Sequence, residues 1–528
     1  MKLVTASEMK EIDRLSTEEY AVPGSLLMDS ASEAVAVSAL EKLSGLKGQR
    51  VVVFAGGGNN GGDGFGAARW LMNMGMHVKV FFTGSSLDKV AGDAKGQLDM
   101  YLAAGGKVEQ LTIEDDFLLA EIAVRRADIV LDAIIGTGFH GELSGIAQRA
   151  CRLMNTCDTP VLAVDIPTGV NADTGACAKD AVNARWTVTM ALPKTGLLLH
   201  PGAAKCGRIE VAAIGTPSAL IDSFNSGKYR LDAGFVSKLL PVRAPDAHKG
   251  DAGRVLICAG SPGFTGAAAL CSYAAVKAGA GLVSLLTPLS SREVLAVKLT
   301  EVMVHGLLER MPGVLGGGAV SDVLQRSQRA DVLAIGPGLG LSESTQQGIR
   351  DIITRVSIPL VIDADALTAV AAAPELLAKL SVPKVLTPHA GEMSRLTGLT
   401  LEDINGNRIE VAKKYAQAWK AVLVLKGAPT IVACPDGRIY VNSTGSSALA
   451  SGGSGDVLTG IIAGLAGQGI SLEAAAAAGV YLHGLAGTMA CPGVGLAAGE
   501  IAANLPAARE KTLSEASPLI YRGMLKVL

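Results

Sequence analysis

The densest run of chemistry-bearing residues is Gly452-Gly453-Ser454-Gly455-Asp456-Val457-Leu458-Thr459-Gly460. Glycines ahead of an apolar helix leave backbone N–H groups at the positive helix end, where they hold a phosphoryl group. An aspartate in that turn can take the proton of a hydroxyl, which is what phosphoryl transfer to an alcohol requires. The plainer reading is an N-capping aspartate after a flexible loop. Lys426-Gly427-Ala428-Pro429-Thr430 lies between two predicted strands. It either wraps a nucleotide phosphate or ribose or simply turns a hairpin. In Thr387-Pro388-His389-Ala390-Gly391-Glu392, Pro388 and Gly391 form a rigid turn presenting His389, although a lone histidine is often structural. Gly336-Pro337-Gly338-Leu339-Gly340, Asp363-Ala364-Asp365-Ala366-Leu367 and Gly260-Ser261 through Gly266-Ala267 also fall at strand ends.

The first half carries a different set. Gly56-Gly57-Gly58-Asn59-Asn60-Gly61-Gly62-Asp63-Gly64 follows a predicted strand and precedes a helical run from Phe65. It suits phosphate binding by backbone amides at a helix N-terminus. It contains G-x-G-x-x-G, yet the next strand ends in Thr83-Gly84 without the acidic ribose ligand of a redox dinucleotide site. No Lys-Ser/Thr follows, so it is not a P-loop. A turn with no ligand would not need two asparagines and an aspartate. Asp132-Ala133-Ile134-Ile135-Gly136-Thr137-Gly138 and Val164-Asp165-Ile166-Pro167-Thr168-Gly169 end two further strands. In a parallel sheet those ends converge on the Asn59–Asp63 loop, where Asn60, Asp132 and Thr168 offer oxygens to a hard cation. The alternative is that Asp132 and Asp165 merely cap loops. Lys194, in Pro193-Lys194-Thr195-Gly196, faces the same cleft or lies on the surface.

Short aliphatic runs must position these residues. In the first half they are Val51–Ala55, Val78–Phe82, Ile129–Asp132, Val161–Asp165 and Trp186–Ala191, after a helix opened by the Thr5–Glu8 capping-box spacing and running to about Glu19. In the second they are Val255–Ala259, Leu282–Leu286, Val332–Ile335, Leu360–Asp363, Val385–Thr387, Val422–Leu425 and Thr430–Ala433. Strands alternating with helices predict doubly wound α/β sheets with ligands at the strand C-termini. Residues 216–232, rich in Pro, Ser, Asn and Gly, read as a linker. The boundaries expected are therefore 1–216, a linker over 217–232, and 233–528. The halves are not repeats, because their glycine motifs differ.

Composition narrows the partners. With 47 Lys+Arg against 49 Asp+Glu, nothing points to nucleic acid or an anionic membrane. Aromatics are only 4%, so the 49% hydrophobic content is aliphatic and suits parallel strands under small-residue helices. The eight cysteines contain no C-x-x-C pair, which argues against zinc and fits reduced thiols in the cytoplasm. The N-terminus lacks the apolar core of a signal peptide. The uncharged, Ala-rich stretch Ala474–Gly499, with His483 and Pro492, reads as a buried helix and loop rather than a membrane span.

From Thr5-Ala6 through Gly196 the motifs resemble the NAD(P)H-hydrate epimerase family, with a Rossmann-like fold. The resemblance implies that Asn59, Asn60, Gly61, Gly62, Asp63, Gly136, Thr137, Gly138, Phe139, His140, Gly141 and Glu142 bind the hydrated nucleotide. It implies K+ on Asn60, Asp132 and Thr168, Asp165 as substrate-contacting acid/base, and Lys194 as its partner. Met28-Asp29-Ser30-Ala31-Ser32 departs from the family's Met-Glu-x-Ala-Gly. From about His248 to Pro506 the chain resembles the ribokinase-like ADP/ATP-dependent NAD(P)H-hydrate dehydratases. Ala267, Gly338, His389 and Asp456 are then expected on the hydrated nucleotide. Lys426, Gly427, Ala428, Pro429, Thr430 and Gly455 are expected on ADP or ATP, with Mg2+. Ser446-Ser447-Ala448 replaces the family's Asn-Pro-Gly.

The resemblance implies a bifunctional repair enzyme and a homo-oligomer. One domain interconverts the R and S hydrates of NADH or NADPH; the other dehydrates the S form at the expense of ADP or ATP, with Asp456 activating the ring hydroxyl. A kinase for a vitamin-like alcohol would use Gly455-Asp456 equally well. A non-catalytic nucleotide sensor in the first half would not need Asp165 or Lys194.

Overall fold

The computed structural model describes residues 1–43, 48–491, 493–515 and 525–527. It divides into two compact units, one of residues 2–226 and 520–528, the other of residue 1 and residues 227–519.

The first unit opens on the helix Ala6–Glu18, whose capping box is present: Thr5 Oγ1 accepts from Glu8 N at 3.2 Å and Glu8 Oε2 accepts from Thr5 N at 2.7 Å. Its strands are β1 (Arg50–Ala55), β2 (His77–Phe82), β3 (Val108–Gln110), β4 (Ile129–Ala133), β5 (Val161–Val164), β6 (Trp186–Met190) and β7 (Arg208–Ala212). They lie in the order β7-β6-β5-β4-β1-β2-β3, all parallel. The strand order reverses between β1 and β4, so their C-terminal loops flank a crevice, the usual ligand position in such a sheet. Strand β7 has no apolar run. Its Glu210 is buried because Ser38 Oγ (2.7 Å) and Lys42 Nζ (2.5 Å) of the helix Gly24–Lys42 reach it. Ser32, on the same helix, fits because Gly66 opposite has no Cβ: one built there would lie 2.1 Å from Ser32 Oγ.

The second unit holds β8 (Lys228–Arg230), β9 (Arg254–Cys258), β10 (Leu282–Pro288), β11 (Met303–Leu307), β12 (Glu309–Met311), β13 (Val314–Leu315), β14 (Val332–Ile335), β15 (Leu360–Ile362), β16 (Lys384–Leu386), β17 (Val422–Leu425), β18 (Thr430–Ala433) and β19 (Ile439–Asn442). The main sheet runs β11-β10-β9-β14-β15-β16-β17-β18-β19-β8, parallel as far as β17, then antiparallel through β18 and β19. Here the reversal lies between β9 and β14. The last strand, β20 (Leu525–Val527), returns to the first sheet and pairs antiparallel with β7.

Every strand read from the aliphatic runs is present within two residues of its expected ends. Strands β3, β8 and β11 lie at sheet edges and mix polar with apolar residues, which weakens their signal; β19, paired on both sides by β18 and β8, was also not among the expected strands. Residues 217–232, expected as a linker, hold the helix Ser218–Ser223 and strand β8, and the units change within them, at residues 226 and 227. The stretch from Ala474 lies in the helix Leu472–Ala490, most of it buried. Pro492 lies outside the described residues. No described helix is long and apolar enough to cross a membrane.

Many glycines serve close packing rather than turns. The helix Ser454–Ala466 lies against the helix Thr265–Lys277 so closely that a Cβ on Gly460 would sit 2.1 Å from Cys271 O. Such a helix can be placed only where glycine removes the side chain.

Candidate active sites

In the first unit, Asp165 and Lys194 form a buried pair. Lys194 Nζ donates to Asp165 Oδ1 at 2.5 Å, to Thr189 Oγ1 at 3.2 Å and to Met190 O at 3.2 Å. The lysine is 1% exposed and the Asp165 side chain 14%. Asp165 follows β5 with φ +65, a left-handed conformation uncommon outside glycine. Its Oδ1 also accepts from Thr189 Oγ1 (3.0 Å) and Met190 N (3.2 Å), so β6 holds the carboxylate in that strained position. Lys194 is a buried group paired with Asp165, not a surface lysine.

Two further carboxyls face this pair. Burial pushes Asp63 well above the usual carboxylate range; Asp165 and Asp13 add to the shift and Lys194 opposes it. Burial raises Asp13 to about 6 against the pull of Lys194, with Asp165 adding to the rise. Asp13, on the first helix, was not among the residues singled out by motif; its only sequence signal was a carboxylate one position from the buried Ile12.

Asp132 and Thr168 also meet. Thr168 N and Oγ1 donate to Asp132 Oδ2 (2.8 Å) and Oδ1 (2.7 Å), and Thr168 Oγ1 lies 3.2 Å from Ile135 O. Burial raises Asp132 to about 6 in spite of the Thr168 hydrogen bonds. Asn60 lies beside Gly136, whose added Cβ would sit 3.1 Å from Asn60 Oδ1, and Asn60 Nδ2 is buried without an acceptor. A carboxylate, a hydroxyl, a carbonyl and a side-chain amide suit a hard cation, and a half-turn of the orphaned amide presents its oxygen. The residues therefore fit K+. Among the described residues no group of three His, Cys, Asp or Glu side chains could hold a metal.

The glycine string does two jobs. A Cβ on Gly56 would meet Ile134 O at 2.0 Å, and one on Gly61 would meet Gly56 O at 1.9 Å. A Cβ on Gly62 would lie 2.8 Å from Ala94 Cα, and one on Gly64 2.6 Å from Ala133 Cβ. Gly56, Gly61 and Gly64 bring the helix Asn59–Asn73 onto the sheet, and Gly62 lets it approach the helix Gly92–Ala103. Gly58 meets nothing, and with Gly57 and Asn59 it is exposed at the helix start. Across the crevice, Gly138, His140, Gly141 and Glu142 are exposed; Gly136 and Thr137 are half-buried. Phe139 is buried in the hydrophobic core, so only its backbone faces that loop.

In the second unit Asp363, at the end of β15, is the hub. Its Oδ1 accepts from Lys426 Nζ (2.9 Å) and its Oδ2 from Thr459 Oγ1 (2.7 Å). Burial alone would raise Asp363, but Lys426 and the Thr459 hydroxyl outweigh it and hold the carboxyl below its ordinary range. Asp456 sits in the first turn of the helix Ser454–Ala466 and is pushed up to about 7 by burial and by Asp363, with Lys426 opposing. Gly455 is the neighbour of Lys426: its added Cβ would lie 3.4 Å from Nζ. His389 caps the helix Ala390–Thr397, its Nδ1 accepting from Gly391 N (3.0 Å) and Glu392 N (3.3 Å). That assigns the neutral ring's proton to Nε2, on a side chain 54% exposed, as a donor for a ligand. Gly338, φ +63, packs on Phe264 and Ala267, so the loops after β9 and β14 close on each other. Asp363, Thr459 and Glu392, which lies 3.6 Å from Lys426 Nζ, complete the cluster without having been singled out as site residues.

Residues 255–506 match the family model described as NAD(P)H-hydrate dehydratase, and residues 24–196 match the YjeF-related protein N-terminus. The bifunctional NAD(P)H-hydrate repair enzyme Nnr of Moorella thermoacetica is 45% identical over 528 residues, 99% of each chain. That of Thermofilum pendens is 42% identical over 490 residues, 93% of this chain and 92% of its own. Among solved structures, the ADP/ATP-dependent NAD(P)H-hydrate dehydratase from Bacillus subtilis co-crystallised with ATP/Mg2+ is 32% identical, with TM-score 0.47, covering 54% of this chain and 98% of its own.

Proposed function

We propose a residue-level division of labour from the premise that this chain belongs to the bifunctional NAD(P)H-hydrate repair enzymes. It is an epimerase and a dehydratase in one polypeptide. The epimerase work falls to residues 2–226 and the dehydratase work to residues 227–519. Soluble small molecules are its substrates. The eight cysteines are all free thiols, which supports a cytoplasmic setting.

In the epimerase unit the hydrated nucleotide lies across the β1/β4 crevice. The exposed Gly57–Asn59 backbone receives phosphate, and the loop Gly136–Glu142 closes the other side. Asp165 exchanges a proton with the hydrated ring. Lys194 aims that carboxylate through its hydrogen bond; the buried Asp63 carboxyl, pushed well above the usual range, keeps a proton it can give, and Asp13, near 6, can take one up or return it. K+ on Asn60, Asp132 and Thr168 would supply positive charge beside the nucleotide.

In the dehydratase unit Asp456 accepts the proton of the ring hydroxyl of the S hydrate. The freed oxygen attacks the terminal phosphoryl of ADP or ATP, whose P–O bond to the departing nucleotide breaks. Phosphate then leaves with the C–O bond electrons while a ring proton is lost, and the nicotinamide double bond returns. Lys426 balances phosphate charge, and the Gly453–Gly455 turn offers helix-end amides. Mg2+ would be held largely by the nucleotide's own phosphates, the nearby carboxylates Glu392 and Asp365 being suitable outer ligands. The observation that carries this reading is Asp456: a carboxyl near 7, in a helix first turn, beside a lysine already fixed by Asp363. The test is recovery of reduced-nicotinamide absorbance from mixed hydrates with ADP or ATP. No recovery with either would overturn it.

A further inference from the structure

Arg408 is a buried cation with no anionic partner among the described residues. It begins the helix Arg408–Trp419 and is 8% exposed. Its Nη2 donates to three main-chain oxygens, Leu425 (3.1 Å), Lys426 (3.1 Å) and Pro429 (3.3 Å), and Nη1 donates to Asn405 Oδ1 (3.1 Å). Its Nε is buried and unpaired. Burial alone lowers its basicity, to about 10, with no carboxylate opposing. A Cβ on Gly427 would lie 2.4 Å from Nη2, so the loop takes glycine there to settle on the guanidinium.

The bonding pattern orients the loop. In a trans peptide the C=O and the following N–H point opposite ways. The Lys426 carbonyl faces Arg408, so the Gly427 N–H faces away. The Gly427 carbonyl accepts from Thr430 Oγ1 (3.0 Å), which turns the Ala428 N–H away from that hydroxyl. The Lys426 N–H is spent on Pro388 O (2.8 Å), whereas the Gly427 and Ala428 N–H groups have no acceptor among the described residues. A buried charge without a counter-ion is costly to hold unless something compensates it.

We propose that Arg408 is a positioning residue for the adenine nucleotide: it fixes the Lys426–Thr430 loop with two free amides presented, and its counter-ion is the nucleotide's phosphate. The inference rests on the reading that this loop receives ADP or ATP.

The test uses full-length Arg408→Met, Arg408→Lys and Lys426→Met. Dehydration of the S hydrate is measured against ADP and ATP, with epimer exchange followed on the same samples. Arg408→Met is expected to raise the nucleotide KM at least about tenfold. Its kcat at saturating nucleotide should stay within a few-fold, and epimer exchange should be unchanged. Arg408→Lys keeps the charge and loses the fork, so its KM should fall between wild type and Arg408→Met. A merely structural arginine would lower kcat and thermal stability and leave KM alone. An unchanged KM in both Arg408 variants, with KM raised in Lys426→Met, overturns the role of Arg408 and leaves the loop reading standing. An unchanged KM in Lys426→Met overturns the loop reading itself. If Arg408→Met does not fold, Arg408→Lys decides on the same readout.

Discussion

Lys426 and Asp363 lie 2.9 Å apart, and that contact joins the hairpin loop after β17 to the end of β15. The other Asp363 oxygen accepts from Thr459, so one carboxylate also anchors the helix that carries Asp456. The charge on Asp363 is thereby fixed, and part of the rise in Asp456 follows from it.

Asp456→Asn should therefore fold, bind adenine nucleotide and lose dehydration by about a hundred- to ten-thousand-fold, the usual cost of removing a general base. Epimer exchange should be untouched. Dehydration within a few-fold of wild type would show that Asp456 is not the base.

The same carboxyl predicts a pH profile. Asp456 must be ionised to accept a proton, so kcat/KM should rise through about pH 7 and then level. Stability runs the other way. In the fold the group keeps its proton up to about 7, whereas the unfolded chain releases it near 3.8, so folding loses stability as pH rises across that window. Asp456→Asn removes this cost and should melt higher than wild type at pH 8, with the gap closing at pH 4. Equal melting temperatures at pH 8 would contradict the assignment.

Lys194→Met should abolish epimer exchange and cost about 3–5 kcal/mol, since it leaves the half-buried Asp165 carboxylate beside two other carboxyls. Asp165→Asn should abolish exchange at a smaller cost, because its amide oxygen still accepts from Lys194. The double variant should cost less than the sum. Chemical denaturation beside an exchange assay decides this; additive losses would mean that the pair is not coupled.

Replacing K+ by tetramethylammonium at constant ionic strength should slow epimer exchange and leave dehydration alone. Thr168→Val removes one oxygen at constant shape and should raise the K+ concentration needed, while Asp132→Ala should abolish the response. Exchange indifferent to the cation in wild type would remove the proposed site.

Gly61→Ala drives a Cβ to 1.9 Å from Gly56 O and should destabilise the first unit by about 1–3 kcal/mol or more. Gly58→Ala meets nothing and adopts an ordinary φ of -104, so stability should stay within about 0.5 kcal/mol. Thermal melts that rank the two the other way would show that the glycines are there only for ligand access.

The two α/β sheets, largely parallel, and the loops at their strand ends were legible in the chain itself. A run such as Val51–Ala55 has one stable destiny, a strand buried on both faces, and the glycine motifs after it can lie only where backbone must approach closely. Residue types at those loops made Asp165, Lys194 and Asp456 candidates, and the family resemblance gave them roles. The fold alone decided which of them would meet and in what charge state. Asp165 and Lys194 are 29 positions apart, Asp363 and Thr459 96, and no local pattern couples them. Asp13 lies on the first helix and Arg408 on another, where isolated charged residues look like solvated surface until packing removes the water. Glu210 shows the same limit in the scaffold: nothing local in Arg208–Ala212 marks it as buried, yet Ser38 and Lys42 enclose it. Local sequence sets backbone preference and apolar period. Burial, and with it the proton affinity of a carboxyl and the need of a guanidinium for partners, is a property of everything packed around the group, so it is settled only when the chain has folded.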